Sequence, residues 1–310
     1  MKAYILKRLL LLGPLLLGIT LFAFFLLNSL PGDIVLNLVG ERASSETIES
    51  IRRQIGADKG FLQQYAGYLS LLLRGDFGRS YHTNRDVLTD IVIKFPNTLR
   101  LAGAAMLIAV PVGIVAGFLS AYRRGGGVDR IVTVLSLGGL SVPVFWSALM
   151  IMILFSLTLK LFPPSGTGGL AFLVLPAFAL SIPAASTLAR VTRMTVVEVL
   201  RMPYVTTARA KGVHRLRIGG VHVLKNVLIP IVTVIGLDFG SYLNGAVVTE
   251  TIFGWDGIGR FTMEGILKRD YPVIMGCVIV GTLVFVLINL VTDLLYRILD
   301  PRVRLHDKDR

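Results

Sequence analysis

Asp238 is the residue least suited to its surroundings, a carboxylate near the midpoint of the apolar run Val227 to Val248. An unpaired carboxylate facing lipid is costly, so this one must face protein or water. At helical spacing Asp238, Ser241, Tyr242 and Gly245 share one face. Such a polar stripe suits the lining of a cavity between helices and is expected to border a path through the membrane. An interhelical hydrogen bond, or a protonated carboxyl, would account for Asp238 as well.

A second constellation is mechanical. Over about 37 residues from Arg190 the chain carries eight Lys or Arg and one Glu, punctuated by Pro203 and Gly212. Proline suits the first turn of a helix and glycine its end, so Pro203 to Lys211 is expected to form a helix of roughly 14 Å, too short to cross a bilayer. A stiff basic element held between two spans can transmit force from a cytosolic partner. It can also serve as an anchor on anionic lipid. Conventional reactive sites do not emerge: there is no G-x-x-x-x-G-K-[ST] phosphate loop, the histidines (His82, His214, His222, His306) are scattered, and Cys277 is the lone cysteine. No catalytic residue, metal site or cofactor is expected on this chain.

These residues need membrane helices to hold them. With 54% hydrophobic and 16% charged residues in 310, the chain reads as an all-α polytopic membrane protein, since each span of about 20 apolar residues must satisfy its own backbone hydrogen bonds. Six transmembrane helices are expected: Leu9 to Leu30, Leu101 to Tyr122, one within Ile131 to Leu159, Leu170 to Ala189 kinked by Pro176 and Pro183, Val227 to Val248, and Val273 to Thr292. The first run is too long for a cleaved signal and lacks a small-x-small site before Pro31, so it is expected to stay as a span. Ala105, Ala109, Gly113, Gly117 and Ala121 form a stripe of small residues on the second span, which favours tight helix packing.

Placing both termini in the cytoplasm puts 19 of the 32 Lys and Arg in inside segments. The inside then carries about +14 and the outside about +1, as short basic loops staying cytoplasmic would require. The net charge of +13 is thus topological and implies no nucleic-acid partner. The expected organisation is a cytoplasmic N-terminus (1–8), a first span (9–30), an extracytoplasmic segment (31–100), a five-helix core (101–298) containing the cytoplasmic loop 190–226, and a cytoplasmic tail (299–310). Within the extracytoplasmic segment Phe61, Tyr65, Leu69 and Leu72 recur at a helical period, with Gly75 as a stop, forming a cap on the membrane or a docking surface.

The stretch Tyr204-Val205-Thr206-Thr207-Ala208-Arg209-Ala210-Lys211-Gly212, with His222 and Leu228-Ile229-Pro230 after it, resembles the cytoplasmic "EAA" loop of binding-protein-dependent ABC permeases, in the variant of the dipeptide/oligopeptide/nickel branch. An ordered series extends the likeness over nearly the whole chain: Leu30-Pro31-Gly32-Asp33, Gly75-Asp76-Phe77-Gly78-Arg79-Ser80, Asn97-Thr98-Leu99, Pro143-Val144-Phe145-Trp146, Pro163-Pro164-Ser165-Gly166, Glu250-Thr251-Ile252-Phe253, Gly257-Ile258-Gly259-Arg260, Arg269-Asp270-Tyr271-Pro272, Asp293-Leu294-Leu295-Tyr296 and Leu299-Asp300-Pro301-Arg302. The resemblance implies a type I ABC importer permease fold in a bacterial or archaeal inner membrane. It also implies a second homologous permease subunit, two ATP-binding subunits that hold ATP and Mg, and an extracytoplasmic solute-binding protein. The short helix would be a coupling helix, with Tyr204, Thr207, Ala208, Arg209, Lys211 and Gly212 contacting or shaping the joint with the ATPase.

Two departures stand out. The glutamate of the EAA triplet is absent, with Thr206 and Thr207 in that region, and Asp238 occupies a position where the branch would carry an amide such as Gln. Substrates consistent with the resemblance are dipeptides, longer peptides, glutathione-like molecules, nickel chelates and oligosaccharides. The competing readings are an ion-gradient-driven secondary transporter or channel, and a membrane scaffold or sensor. Neither paired intramembrane ions nor inverted repeats, the usual marks of a secondary transporter, stand out.

Overall fold

Backbone groups away from water must bond within their own segment, and the fold is accordingly built from long helices. The computed structural model describes residues 2–29, 35, 44–54, 56, 58–214 and 217–299. The Leu30-Pro31-Gly32-Asp33 motif and the tail from Asp300 lie outside the described residues, as do the side chains of His222 and Arg297.

The helices are α1 (Lys2–Ser29), α2 (Ser45–Gln54), α3 (Phe61–Leu72), α4 (Val87–Tyr122), α5 (Gly127–Ser141), α6 (Val144–Met152), α7 (Leu170–Val199), α8 (Pro203–Ala210), α9 (Leu224–Leu243), α10 (Val247–Ile252), α11 (Ile258–Lys268) and α12 (Tyr271–Leu299). Among the described residues five helices are long and apolar enough to cross a membrane, within α1, α4, α7, α9 and α12. A sixth crossing is made only if Gly127–Ser141 and Val144–Thr158 act together.

Several expected boundaries move. The third span is not one straight helix but a pair bent by 100°. Pro143 has no N–H to continue the ladder, and its ring pushes Val142 into the extended region (φ −79, ψ 124), so α5 stops at Ser141. The second span begins earlier than Leu101: α4 starts at Val87 and runs 36 residues, about 54 Å, well beyond the roughly 30 Å hydrocarbon thickness. The fourth continues past Ala189 to Val199 and is unbroken through Pro176 and Pro183. The fifth stops at Leu243, with Asn244 as its C-cap and Gly245 at φ +103, so Gly245 falls off the helical face assigned to it.

By internal contacts the chain forms two compact units, one of residues 1–98 and 256–284, the other of residues 99–255 and 285–310. The core of the first gathers Val87, Ile91, Ile258, Val273 and Cys277 against Phe77, Phe95 and Phe261. Phe24, Leu27, Ile274 and Met275 form a second cluster there, faced by the aromatic side of α3 (Phe61, Tyr65, Tyr68). In the second unit α7 is the central element. It packs with Leu101, Ala105 and Trp255 through Ala177 and Leu180, and with Ala148 and Phe253 through Leu175 and Ala179.

The small-residue stripe on α4 is a packing surface for α7. A Cβ on Gly113 would lie 2.6 Å from the Leu188 Cβ, and one on Gly117 would lie 2.6 Å from the Ala189 carbonyl oxygen. Only glycine permits that approach. Ala105 and Ala109, on the same stripe, are fully buried.

Candidate functional site

The short helix α8 forms where its punctuation directs. Pro203 occupies the first turn, Met202 before it is extended (φ −65, ψ 142) as a residue preceding proline must be, and the helix ends at Ala210 with Lys211 as C-cap. The N–H groups of Lys211, Gly212 and Val213 donate to the Thr207, Arg209 and Ala208 carbonyls, closing the C-terminus. Gly212 adopts φ +76, the left-handed conformation that glycine reaches without steric cost.

Its two faces differ. Val205 and Ala208 are buried in a cluster with Val196, Val199, Ile218, Val223 and Val227, while Tyr204, Thr207, Arg209 and Lys211 are exposed. The Asn226 Nδ2 donates to the Tyr204 hydroxyl at 2.9 Å, and partial burial raises the pKa of that phenol above its ordinary value. Of the residues expected at the joint, four face outward, Ala208 faces inward as backing, and Gly212 ends the helix. Val205, the deepest anchor, was not singled out by sequence reasoning, although Val205 and Ala208 are an i,i+3 apolar pair that carried the signal.

Behind α8 stands the C-terminal arm of α7, residues 190–199, which the sequence presented as loop. Arg193 on this arm makes a two-pronged ion pair with Asp129 in the first turn of α5, Nε to Oδ1 at 2.6 Å and Nη2 to Oδ2 at 2.9 Å. The same carboxylate accepts from the Ser120 Oγ (2.5 Å) and the Gly125 N–H (2.8 Å). Asp129 is buried, and the guanidinium, hydroxyl and backbone N–H groups around it all donate to it, which compensates its charge. Asp129 and Arg193 were counted in the sequence only as loop charges.

The face around Asp238 is built differently. Ile235, Phe239 and Tyr242 pack against Met106, Ala109 and Ala184, and the Tyr242 hydroxyl donates to the Leu180 carbonyl at 2.9 Å. Asp238 lies between Ile235 and Tyr242 at helical spacing, and its Oδ2 is buried with no hydrogen-bond partner among the described residues. Ser241 and Leu237 are exposed on the adjoining face. The structure thus keeps Asp238 and Tyr242 together, turns Ser241 outward, and places Gly245 beyond the helix end.

In the first unit, motifs far apart in sequence bond to one another. The Ser80 Oγ donates to the Asp270 Oδ2 at 2.5 Å, the Tyr81 N–H donates to Oδ1 at 3.2 Å, and the His82 ring Nε2 lies 2.8 Å from the Lys268 carbonyl. Burial first, and then the Asp270 charge, pushes the Tyr81 phenol up to about 12. Asn97 donates to the Asp256 carbonyl (2.8 Å), Thr98 accepts from the Ile258 N–H (2.8 Å) at the start of α11, and Lys94 pairs with Asp256. Among the described residues no group of three or more His, Cys, Asp or Glu could hold a metal ion.

Comparison with known proteins covers nearly the whole chain. Residues 109–305 match the family described as binding-protein-dependent transport system inner membrane component, and residues 1–102 match the N-terminal portion of such membrane components. The chain is 37% identical to the dipeptide transport system permease protein DppB of Alkalihalophilus pseudofirmus, over 98% of this chain and 100% of that protein. It is 40% identical to the di/tripeptide transport system permease protein DppB of Pseudomonas aeruginosa over 98% and 99%. Identity to the glutathione transport system permease protein GsiC of Escherichia coli is 37% over 98% and 99%. In structure it resembles a chain of the inward-facing MetNI methionine ABC transporter, with a TM-score of 0.59 at 17% identity, over 69% of this chain and 97% of that one.

Proposed function

The chain belongs to the binding-protein-dependent transport system inner membrane components, with the fold of an ABC-transporter permease, and from that premise we propose that it forms half of the translocation pathway of an ATP-driven importer of peptides. Its companions are a second homologous permease, two cytosolic ATP-binding subunits and an extracytoplasmic solute-binding protein. ATP and Mg are held by the ATP-binding subunits. Both termini and α8 lie on the cytoplasmic side, a reading supported by the excess of Lys and Arg in the segments assigned there.

The observation that carries the coupling role is the two-faced construction of α8. An anchor on lipid would present its apolar face to the membrane; here Val205 and Ala208 are spent on the protein's own core. The exposed side chains of Tyr204, Thr207, Arg209 and Lys211 give α8 a polar, basic outer face suited to a polar partner. When the ATPase pair closes on nucleotide, α8 moves with it, and the helices attached to α8 reorient to open the pathway on the other side. Asp238 and Tyr242, with Ser241 beside them and Gly245 at the helix end, border that pathway.

Cysteine cross-linking in the assembled complex tests this. Arg209→Cys and Lys211→Cys should each form a cross-link to an ATPase subunit, at a yield that changes between nucleotide-free and vanadate-trapped states. Attachment to lipid only, or uptake driven by a proton gradient without ATP, would overturn the proposal.

A further inference from the structure

The importer reading leaves open how motion of an eight-residue helix reaches the membrane rather than being absorbed on the way. The connection from α8 to α7 is short and tight. The Leu200, Arg201 and Met202 N–H groups donate to the Val196, Glu198 and Val199 carbonyls, and the Met202 carbonyl accepts from Val205. Since Val205 and Ala208 share a cluster with Val196 and Val199, α8 and the arm 190–199 move as one piece.

Upstream, α7 is softer. Pro176 and Pro183 each remove a ladder hydrogen bond. A load applied at α8 would therefore bend α7 near Pro183, unless the arm is tied to something else.

Such a tie exists. Arg193 lies about 35 Å along α7 from Leu170 at 1.5 Å per residue, past the roughly 30 Å hydrocarbon core and so at the membrane edge. There it grips Asp129 in the bidentate geometry already described. Asp129 belongs to the first turn of α5 and also receives Ser120 from α4 and the Gly125 N–H from the connection between them. One residue before Arg193, Thr192 lies against Gly117 of α4, close enough that a Cβ on Gly117 would sit 2.6 Å from its own. Three helices thus converge on one carboxylate at the base of the lever.

We propose that Asp129 and Arg193 are positioning residues for energy coupling: their ion pair makes the α7 arm, the end of α4 and the start of α5 a single body, so that displacement of α8 is conveyed to the membrane helices instead of being lost in bending of α7. This rests on α8 being the ATPase contact. A planar guanidinium fork on a carboxylate fixes orientation as well as distance, which a lysine cannot do. Without the pair, ATP hydrolysis continues but drives less transport.

The test uses the complete complex, with both permeases, the ATPases and the binding protein, in proteoliposomes. Uptake of labelled dialanine and ATP hydrolysed are measured in the same vesicles, and the Arg209→Cys cross-link is scored in parallel. Asp129→Asn should lower uptake per ATP severalfold, while the cross-link forms as in the parent. Arg193→Lys, which keeps the charge but loses the fork, should fall between Asp129→Asn and the parent. The double variant Asp129→Arg with Arg193→Asp should recover part of the lost ratio. If Asp129→Asn fails to assemble, Arg193→Lys and Ser120→Ala carry the test. Parental uptake per ATP in assembled Arg193→Lys and Asp129→Asn complexes overturns the inference and leaves the coupling role of α8 standing. Loss of the Arg209→Cys cross-link in the parent itself overturns the coupling role instead.

Discussion

Two carboxylates from different regions of the molecule show how differently this chain uses the same group. In the first unit Asp270 is buried and accepts from the Ser80 hydroxyl and the Tyr81 N–H, so it closes the loop 75–86 onto the start of α12. In the second unit Asp238 has a buried oxygen with no partner among the described residues, although Tyr242 one turn later gives its own hydroxyl to Leu180. Buried acceptors are almost always satisfied because an orphan costs desolvation without return. Asp270 is therefore read from its bonds as a fastening, whereas the buried Asp238 oxygen fastens nothing among the described residues.

The largest effect expected is on the fastening. Asp270→Ala leaves two donors without their acceptor and should cost about 2–6 kcal/mol, the loss for two unsatisfied groups, seen as a lower unfolding temperature of the purified complex. Residual uptake should fall only in proportion to the amount assembled. A packing control in the second unit comes next: Gly117→Ala forces a Cβ onto the Ala189 carbonyl and should cost about 1–3 kcal/mol, whereas Gly103→Ala, with nothing within 4 Å, should leave the unfolding temperature unchanged. The smallest effect on stability belongs to Asp238→Asn, which keeps the shape and breaks no side-chain bond seen here; it should lie within about 1 kcal/mol of the parent. Uptake should respond instead, with reduced rate or altered preference between peptides of different charge. Destabilisation of Asp238→Asn to the level of Asp270→Ala would erase the contrast, and unchanged uptake rate and preference would remove Asp238 from the pathway.

What could be read from the sequence followed physical locality. Pro203 and Gly212 act on their own backbone within one turn, so α8 was legible almost to its last residue. Hydropathy located the spans but carries no direction, so the uncharged stretch after Ile131 looked like one helix although Pro143 turns it by 100°. Gly245 was assigned to a helical face by extrapolating a period past Asn244, where the backbone had already left the helix. The Asp129–Arg193 pair joins positions 64 residues apart and has no local signature. Likewise the stretches around Ser80 and Asp270 stood out separately by resemblance, and only the fold brings them into bonding distance.

The bend at Pro143 also sets how this span meets lipid. The first arm, 15 residues from Gly127 to Ser141, is about 22 Å long, shorter than a bilayer's apolar layer of roughly 30 Å; the second, 15 residues from Val144 to Thr158, passes into π-helix at Ile153 and is no longer than the first. With 100° between them, either one arm lies nearly flat or both lean steeply, and the element becomes a wedge whose cross-sectional area changes with depth. An element of that shape is accommodated by a bilayer through tilt as well as length, unlike a straight rod standing along the normal.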